Sequence, residues 1–478
     1  MTVHFVRPPV RRRSRPLAPP PPGSRLTAVP GRAGLPLVGE ALRFLRDFEG
    51  LARARYTEFG PVSWGTFLGR RGVLAQGPDA AEAVLSGRDP AFAAAPVNRW
   101  YFGPFLPGAL LMFDGEEHRE QRRLMQQAFT TARMRHYHEA MLPGIGSAVA
   151  AWRPGREFRL YDHVERLTFD LALEVFMGVG KGDPRAARIA TAFRDLMQAP
   201  FTCVRFRVPG LPGLRWSKGL RARALLENFL YARIPAGRRG DGDDLFTALC
   251  QAEGDDAGRR FGDREVVDHM IHLLQAAHDT TTISIAAMTY FLGEHPSWQR
   301  RLRAEVWSVA GGPDAPNVAH ADLARLSLMD QVMKESLRLV SPVLGQLRVA
   351  VADTELLGHH VPAGTIVFVP TLTNQRLPQY WPDPARFDPA RFAPDRREDR
   401  VHRYAWAPFG GGAHKCIGLH FASMQAKPIL AEMLRRYHWR LPAGSGWPFG
   451  VGTLTTVKDG LPIELERAPS TVGASPGA

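Results

Sequence analysis

The segment Phe409-Gly-Gly-Gly-Ala-His-Lys-Cys-Ile-Gly418 constrains this chain more than any other stretch. Three successive glycines remove three β-carbons, so the backbone can pass very close to something flat or bulky. The residues that follow, Leu-His-Phe-Ala-Ser-Met-Gln-Ala-Lys, read as a helix, which places Cys416 at a helix start. Unpaired backbone N–H groups and the positive end of the helix dipole both favour a thiolate there. A thiolate held in this way is a good soft metal ligand. The bland alternative, a glycine-rich turn with an incidental cysteine, stays open on the loop alone.

The three cysteines, Cys203, Cys250 and Cys416, are odd in number and widely separated. That excludes a disulfide framework and a four-cysteine zinc site, and Cys203 and Cys250 read as small buried apolar residues. The formal net charge of +14 first suggests nucleic acid, an anionic membrane or an acidic partner. Half of it is local: Arg7, Arg11, Arg12, Arg13, Arg15, Arg25 and Arg32 fall in the first 32 residues, which contain no Asp or Glu. Eight prolines in the same stretch argue for extended, unpacked chain, so residues 1–32 are expected to form a disordered basic tail. The arginines precede Leu-Ala-Pro-Pro-Pro-Pro and not an apolar run, so no secretory or twin-arginine signal fits. No window reaches the roughly 18 apolar residues of a membrane span. The chain therefore reads as soluble and cytoplasmic, with peripheral membrane contact open to the tail alone.

Helical periodicity dominates from about residue 114 to 310, interrupted at stretches such as Val208-Pro-Gly-Leu-Pro-Gly and Gly237-Arg-Arg-Gly-Asp-Gly-Asp-Asp. Two β-type runs, Pro61-Val-Ser-Trp-Gly-Thr-Phe-Leu and Gly72-Val-Leu-Ala-Gln, flank Gly69-Arg-Arg-Gly and predict a hairpin. A second hairpin is predicted at Asp459-Gly460, between Thr453-Leu-Thr-Thr-Val-Lys and Leu461-Pro-Ile-Glu-Leu. The fold class is mainly α with a small β subdomain: one domain over 33–466 and a disordered tail over 467–478. A long apolar helix from Val266 to Met288 carries His278, Asp279, Thr280, Thr281 and Thr282 at its centre. Burying these groups costs several kcal/mol unless they are paired or wet. The Thr280 hydroxyl can bond the Ala276 carbonyl, which is expected to loosen and bend the helix.

The spacing Phe409-x-x-Gly412-x-His414-x-Cys416-x-Gly418 resembles the haem-binding loop of the cytochrome P-450 family, in which the cysteine is the proximal iron ligand. Other elements follow in the family's order. Glu335-Ser-Leu-Arg338 is similar to its E-x-x-R pair, and Phe387-Asp-Pro-Ala-Arg-Phe392 to the segment whose arginine, here Arg391, completes a buried structural triad. The bare E-x-x-R pattern also occurs at Glu116/Arg119, Glu120/Arg123 and Glu432/Arg435, so only its neighbourhood gives it weight. Ala276-Ala-His-Asp-Thr-Thr281 is similar to the family's oxygen-binding groove, with Asp279 and Thr280 as its acid–alcohol pair. Ala277 stands where the family usually has glycine, and its methyl narrows the groove or changes how water is held.

The resemblance implies a cytochrome P-450 fold, haem b with Cys416 as ligand, and propionate contacts from His118, Arg122, Arg348 and His414. It sets Phe409, Gly410, Gly418 and Ala276 beside the cofactor. The implied activity is monooxygenation: one atom of O2 enters an apolar substrate as a hydroxyl or epoxide, the substrate being a sterol, terpenoid or fatty acid. Phe102, Phe105, Val343, Leu344 and Leu454 are the candidate substrate contacts. With three cysteines and no flavin or nicotinamide segment, electrons must come from a separate donor, a ferredoxin with its reductase, drawn to Arg119, Arg123, Lys415 and Lys427. A haem protein that rearranges substrate or uses peroxide, and a non-catalytic haem sensor, are disfavoured by the Asp279-Thr280 pair. A nucleic-acid binder is disfavoured by the absence of a basic stripe interleaved with aromatics in the folded region.

Overall fold

A computed structural model of the chain describes residues 17–180, 182–199, 214–254, 258–312, 314–452 and 454–468. Five of the tail arginines, Cys203, the Val208-Pro-Gly-Leu-Pro-Gly interruption and nearly all of the C-terminal tail lie outside the described residues. The architecture is helical around one central element, Asp263–Glu294, which packs against Leu160–Met177, Ser327–Leu339 and Leu419–Arg436. The Glu265 carboxylate accepts from the Gly262 N–H at 2.7 Å and caps the start of the central helix. The helix runs without a break through its polar centre. Its hydroxyls are absorbed locally: Thr280 Oγ1 donates to the Ala276 carbonyl at 2.7 Å, Thr282 to that of His278 at 3.0 Å, and Ser284 to that of Thr280 at 2.7 Å. No helix among the described residues is long and apolar enough to cross a membrane.

The largest sheet has five strands in the order Val62–Phe67, Arg70–Ala75, Ile366–Val369, Gln346–Ala350 and Phe92–Ala93. The first hairpin forms, but its turn lies at Leu68-Gly69, both in left-handed backbone, and Arg70 and Arg71 already belong to the second strand. The predicted hairpin at Asp459-Gly460 does not form. Thr456–Val457 pairs with Phe449–Gly450, whereas Pro462–Arg467 pairs with Tyr437–Arg440 and Gly155–Arg159. Between them a short 3₁₀ turn with Asp459 and Leu461 at positive φ redirects the chain into another sheet. The boundary of the N-terminal tail also moves. Thr27–Ala28 pairs in parallel with His359–His360, Val29 is buried, and the Pro30 carbonyl accepts from Trp64 N–H at 2.8 Å. Backbone pairing needs no apolar pattern, so proline content concealed it.

Glu335, Arg338 and Arg391 are all buried and meet as a triad. Arg338 holds Glu335 with both forks, Nε to Oε2 at 2.6 Å and Nη2 to Oε1 at 2.8 Å, and Arg391 Nε reaches Oε1 at 3.3 Å. The remaining guanidinium hydrogens find the carbonyls of Gln375, Pro384, Arg386 and Asp383 and the carboxylate of Glu398. The i, i+3 pair on one helix is thereby tied to the segment that leads into the cysteine loop. Removing one member leaves an uncompensated buried charge. Glu335→Ala should lower the unfolding free energy by about 3–5 kcal/mol in chemical denaturation, while Glu116→Ala on the exposed Glu116/Arg119 pair should leave it unchanged. Equal behaviour of the two variants would refute the anchoring role.

Candidate functional site

The cysteine loop is closed by Cys416 N–H donating to the Phe409 carbonyl at 2.9 Å, with Gly410 N–H on the Ala407 carbonyl at 3.0 Å. Gly410 and Gly412 have φ of 70° and 63°, a region that favours glycine. The neighbours that demand small residues are parts of the protein itself. A β-carbon at Gly411 would lie 2.2 Å from the Tyr404 ring, and one at Gly412 would lie 2.1 Å from the Leu85 carbonyl oxygen. Gly410 differs, with nothing nearer than Gln346 at 3.7 Å, and Gly418 sees only the Cys416 sulfur at 3.9 Å. The helix begins at Leu419 with Gly418 as N-cap, so Cys416 precedes it instead of opening it. Burial pushes the Cys416 thiol up, against the opposite pull of the Gly418 N–H, Arg122 and Lys415. In the protein alone desolvation of the thiol thus outweighs the thiolate preference expected of the loop, and a metal's positive charge at the sulfur would favour the thiolate. Cys250 behaves as expected of a small core residue, its thiol pushed up to about 11 by burial.

Four basic side chains converge near this loop from separate elements. His118 and Arg122 lie on helix Gly115–Gln126, Arg348 on strand Gln346–Ala350, and His414 in the loop. Burial first, then His414 and Arg122, lower the His118 pKa to about 4. Its ring centre is 4.0 Å from that of His414, and its buried Nδ1 has no hydrogen-bond partner among the described residues. His414 Nε2 is 3.0 Å from Asp114 Oδ1. Burial would raise the Asp114 carboxyl, but His414 and the N–H groups of Ala94 and Ala95 outweigh it and hold it below its usual range. Arg348 is 4% exposed, hydrogen-bonds among the described residues only to the adjacent Leu347 carbonyl at 2.8 Å, and is pushed down to about 10 by burial against the opposite pull of Asp114. Arg122, partly buried, forms no hydrogen bond or ion pair among the described residues, and burial lowers its pKa as well. Buried cations without carboxylates are costly unless an anion completes the site. The set fits a group with two carboxylates and a metal that accepts sulfur, as haem b does.

Asp279 and Thr280 project from the centre of the long helix. Asp279 Oδ1 lies 3.5 Å from His278 Nε2, and single ligand atoms of Glu165, His278 and Asp279 all lie within 4.8 Å of one another. Burial and then Glu165 push the Asp279 carboxyl up to about 6. His278 is lowered to about 4 by burial and meets Thr168 Oγ1 at 3.1 Å, which in turn meets Thr282 Oγ1 at 2.7 Å. Tyr161, also raised by burial and by Asp279, joins from the same helix as Glu165. Sequence reasoning missed Tyr161, Glu165 and Thr168. Their i, i+4, i+7 spacing on one helical face was the available signal.

The candidate substrate contacts divide. Thr455 N–H on the Pro342 carbonyl at 2.9 Å and Thr455 Oγ1 on that of Ser341 at 2.7 Å bring the half-buried Val343 and Leu454 into neighbouring segments. Ala276 is exposed and Phe102 half-buried. Phe105 is 0% exposed, its ring 4.7 Å from Trp216, so the expectation that it lines open space is corrected. Leu344 is likewise packed against Phe48 and Leu372. Among the cations assigned to a donor protein, Lys427 is withdrawn: it is buried, with Nζ on the Leu323 carbonyl at 2.9 Å and Asp330 at 2.8 Å.

Because the folded Asp279 pKa is raised from 3.8 to about 6, the native state binds more protons than the unfolded state between these values. This group therefore makes stability fall as pH rises from about 4 to 6, by on the order of 2 kcal/mol. Asp279→Asn should flatten that part of a stability-versus-pH profile measured by denaturation, and an unchanged slope would refute the assignment.

The sequence profile of the family described as Cytochrome P450 matches residues 29–460. A Mycobacterium tuberculosis chain designated cytochrome P450 136 is 41% identical over 94% of this chain and 90% of its own length. Cyclooctat-9-en-7-ol 5-monooxygenase of Streptomyces melanosporofaciens is 32% identical over 70% of this chain and 73% of its own. The structure of retinoic-acid-bound cyanobacterial CYP120A1 superposes with a TM-score of 0.81 at 29% identity, covering 93% of this chain and all of that one. With the helical fold, the cysteine loop and the buried triad already in place, the chain belongs to the cytochrome P450 family and is a monooxygenase of that family.

Proposed function

We propose that the chain is a haem-thiolate enzyme that hydroxylates or epoxidises an apolar terpenoid-type substrate, with O2 as co-substrate and a ferredoxin and its reductase as electron source. The observation that carries this reading is the grouping of Cys416 with Arg122, and of Arg348 with His118, two arginines that form no ion pair among the described residues although Asp114 lies within electrostatic reach of Arg348. Arg122, Arg348, His118 and His414 would hold the propionates and Cys416 the iron; Phe409, Gly410, Gly418 and Ala276 would line the cofactor. Haem bound in this way supplies activation of O2. Asp279, whose carboxyl titrates near 6, retains a proton close to neutrality and can give it up, and Thr280 beside it offers a hydroxyl through which the proton moves. Val343 and Leu454 would exclude water and hold apolar substrate. The terpenoid lean is supported by cyclooctat-9-en-7-ol, for which the Streptomyces relative is named, and by the retinoic acid in the cyanobacterial structure. A cytoplasmic setting is supported by the few, scattered cysteines.

The decisive experiment is the reduced, CO-bound absorption spectrum, which should carry the thiolate signature and lose it in Cys416→Ala. A spectrum typical of histidine-ligated haem would sink the reading. Thr280→Ala should divert reductant into peroxide at the expense of product, so a coupling ratio equal to that of the parent would remove Thr280 from proton transfer. For the electron donor, Arg119, Arg123 and Lys415 remain, all exposed, Arg119 in an ion pair with Glu116. Reversing the charges of Arg123 and Lys415 should slow reduction by an acidic ferredoxin about tenfold at low salt and flatten its salt dependence. Unchanged rates would place the donor elsewhere.

A further inference from the structure

Among the described residues eleven large hydrophobic side chains are exposed, and six of them fall in one place: Leu35, Leu37, Leu42, Leu45, Phe67 and Leu68. Exposed apolar residues scattered singly need no explanation, whereas a contiguous group does. These six come from the segment before helix Ala41–Arg46, from that helix, and from the tip of the Val62–Ala75 hairpin. Backbone bonds hold the pieces together: Leu35 and Gly39 exchange two, at 3.2 and 2.8 Å, and Leu68 N–H reaches the Val38 carbonyl at 3.2 Å. The Phe44 ring lies 5.3 Å from that of Phe67 and locks the helix onto the hairpin.

Two of these leucines stand where the backbone disfavours them. Leu37 has φ of 64° and is 89% exposed; Leu68 has φ of 48° and is 64% exposed. Left-handed backbone suits Gly or Asn, and a leucine there costs on the order of 1–2 kcal/mol. Neither side chain recovers that cost by packing in water. The surrounding charge is positive. Arg43 and Arg46 alternate with Leu42 and Leu45, and Arg46 has no hydrogen bond or ion pair among the described residues. The nearby acids are engaged: Glu40 is buried beside Arg32, Arg43 and Arg55, and Asp47 caps Gly50 N–H at 2.8 Å. The chain also enters the fold next to this hairpin, through the Pro30 to Trp64 bond, and Arg32 lies there beside Glu40 and Glu58.

We infer that this face docks on an anionic lipid surface, the leucines and Phe67 entering the headgroup region and Arg43 and Arg46 facing lipid charge. Apolar side chains rimmed by arginines match the two requirements of reversible interfacial binding, buried apolar area and attraction to anionic lipid. A second copy of the chain would meet like charge across the same face, which disfavours it as the occupant. Inward, the face continues through the rings of Phe44, Phe48 and Phe368, at 4.8 to 6.2 Å spacing, to Leu344. A lipid-dissolved substrate would suit that continuity, but the docking does not depend on the proposed reaction.

The test is co-sedimentation of the full-length, haem-loaded chain with phosphatidylcholine vesicles, with and without about 30% phosphatidylglycerol. The parent should bind the anionic vesicles and release from them at high salt. The double variant Leu37→Asn, Leu68→Asn should lose on the order of tenfold in vesicle partitioning, while its melting temperature stays level or rises because asparagine suits the backbone at both positions. Deleting residues 2–16 should leave part of the binding in place, and Arg43→Gln with Arg46→Gln should weaken binding to the anionic vesicles alone. The inference is overturned if the parent does not bind, if the leucine variant binds as the parent does, or if the deletion abolishes binding. It is equally overturned if the parent dimerises without lipid and the leucine variant is monomeric. None of these outcomes touches the spectral test of the haem site.

Discussion

A single carboxylate, Glu335, holds two arginines from different parts of the chain, and the cysteine loop depends on it. Arg338 is three residues away on the same helix, so its pairing is local. Arg391 lies in the segment that leads toward residue 409, and its bond to Glu335 closes a long excursion of chain over the proximal side. Such a cluster adds little net stability compared with apolar packing, because desolvation offsets most of the attraction. Its worth is directional. Each guanidinium has several fixed hydrogens, all five on Arg338 and four on Arg391 meeting a carbonyl or carboxylate, so few arrangements of the segment satisfy them.

Burial drives five ionisable groups of the site toward their neutral forms, while Asp114 is held charged by His414 and two backbone N–H groups. Burial raises the Cys416 thiol and the Asp279 carboxyl, and lowers His118, His278 and Arg348. The protein alone therefore holds its charges reluctantly. A cofactor that brings a metal to the sulfur and carboxylates to the arginines would supply the missing counter-charges on both counts. On the other side of the site no cation is bonded to Asp279 among the described residues; after burial, Glu165 raises it further, to about 6.

Spacing along one helix or one loop was readable, and spacing between elements was not. The pairing of Glu335 with Arg338 and the Thr280 to Ala276 bond are i, i+3 and i, i+4 events, which helical geometry dictates. The same pattern at Glu432/Arg435 is also buried and joined by a second arginine, Arg436, so the motif by itself could not rank the two sites. The glycines were recognised for their small size, but the partners that require it at Gly411 and Gly412 are Tyr404 and Leu85, distant in sequence. Asp459-Gly460 carries a hairpin signal, yet Gly155–Arg159 offers the following strand a better edge.

The sequence by itself determined the helical class, the cysteine loop, the acid–alcohol pair and the cations, because each is a local pattern of residue types. Only the tertiary structure decided which of these meet. It left Arg122 and Arg348 without an ion pair among the described residues, brought Glu165 and Tyr161 to Asp279, withdrew Phe105 and Lys427 into the core, and gathered six exposed apolar side chains on one face. Burial and the pairing of distant residues are properties of the packed chain, and they set both the cost of a charge and the partner that offsets it.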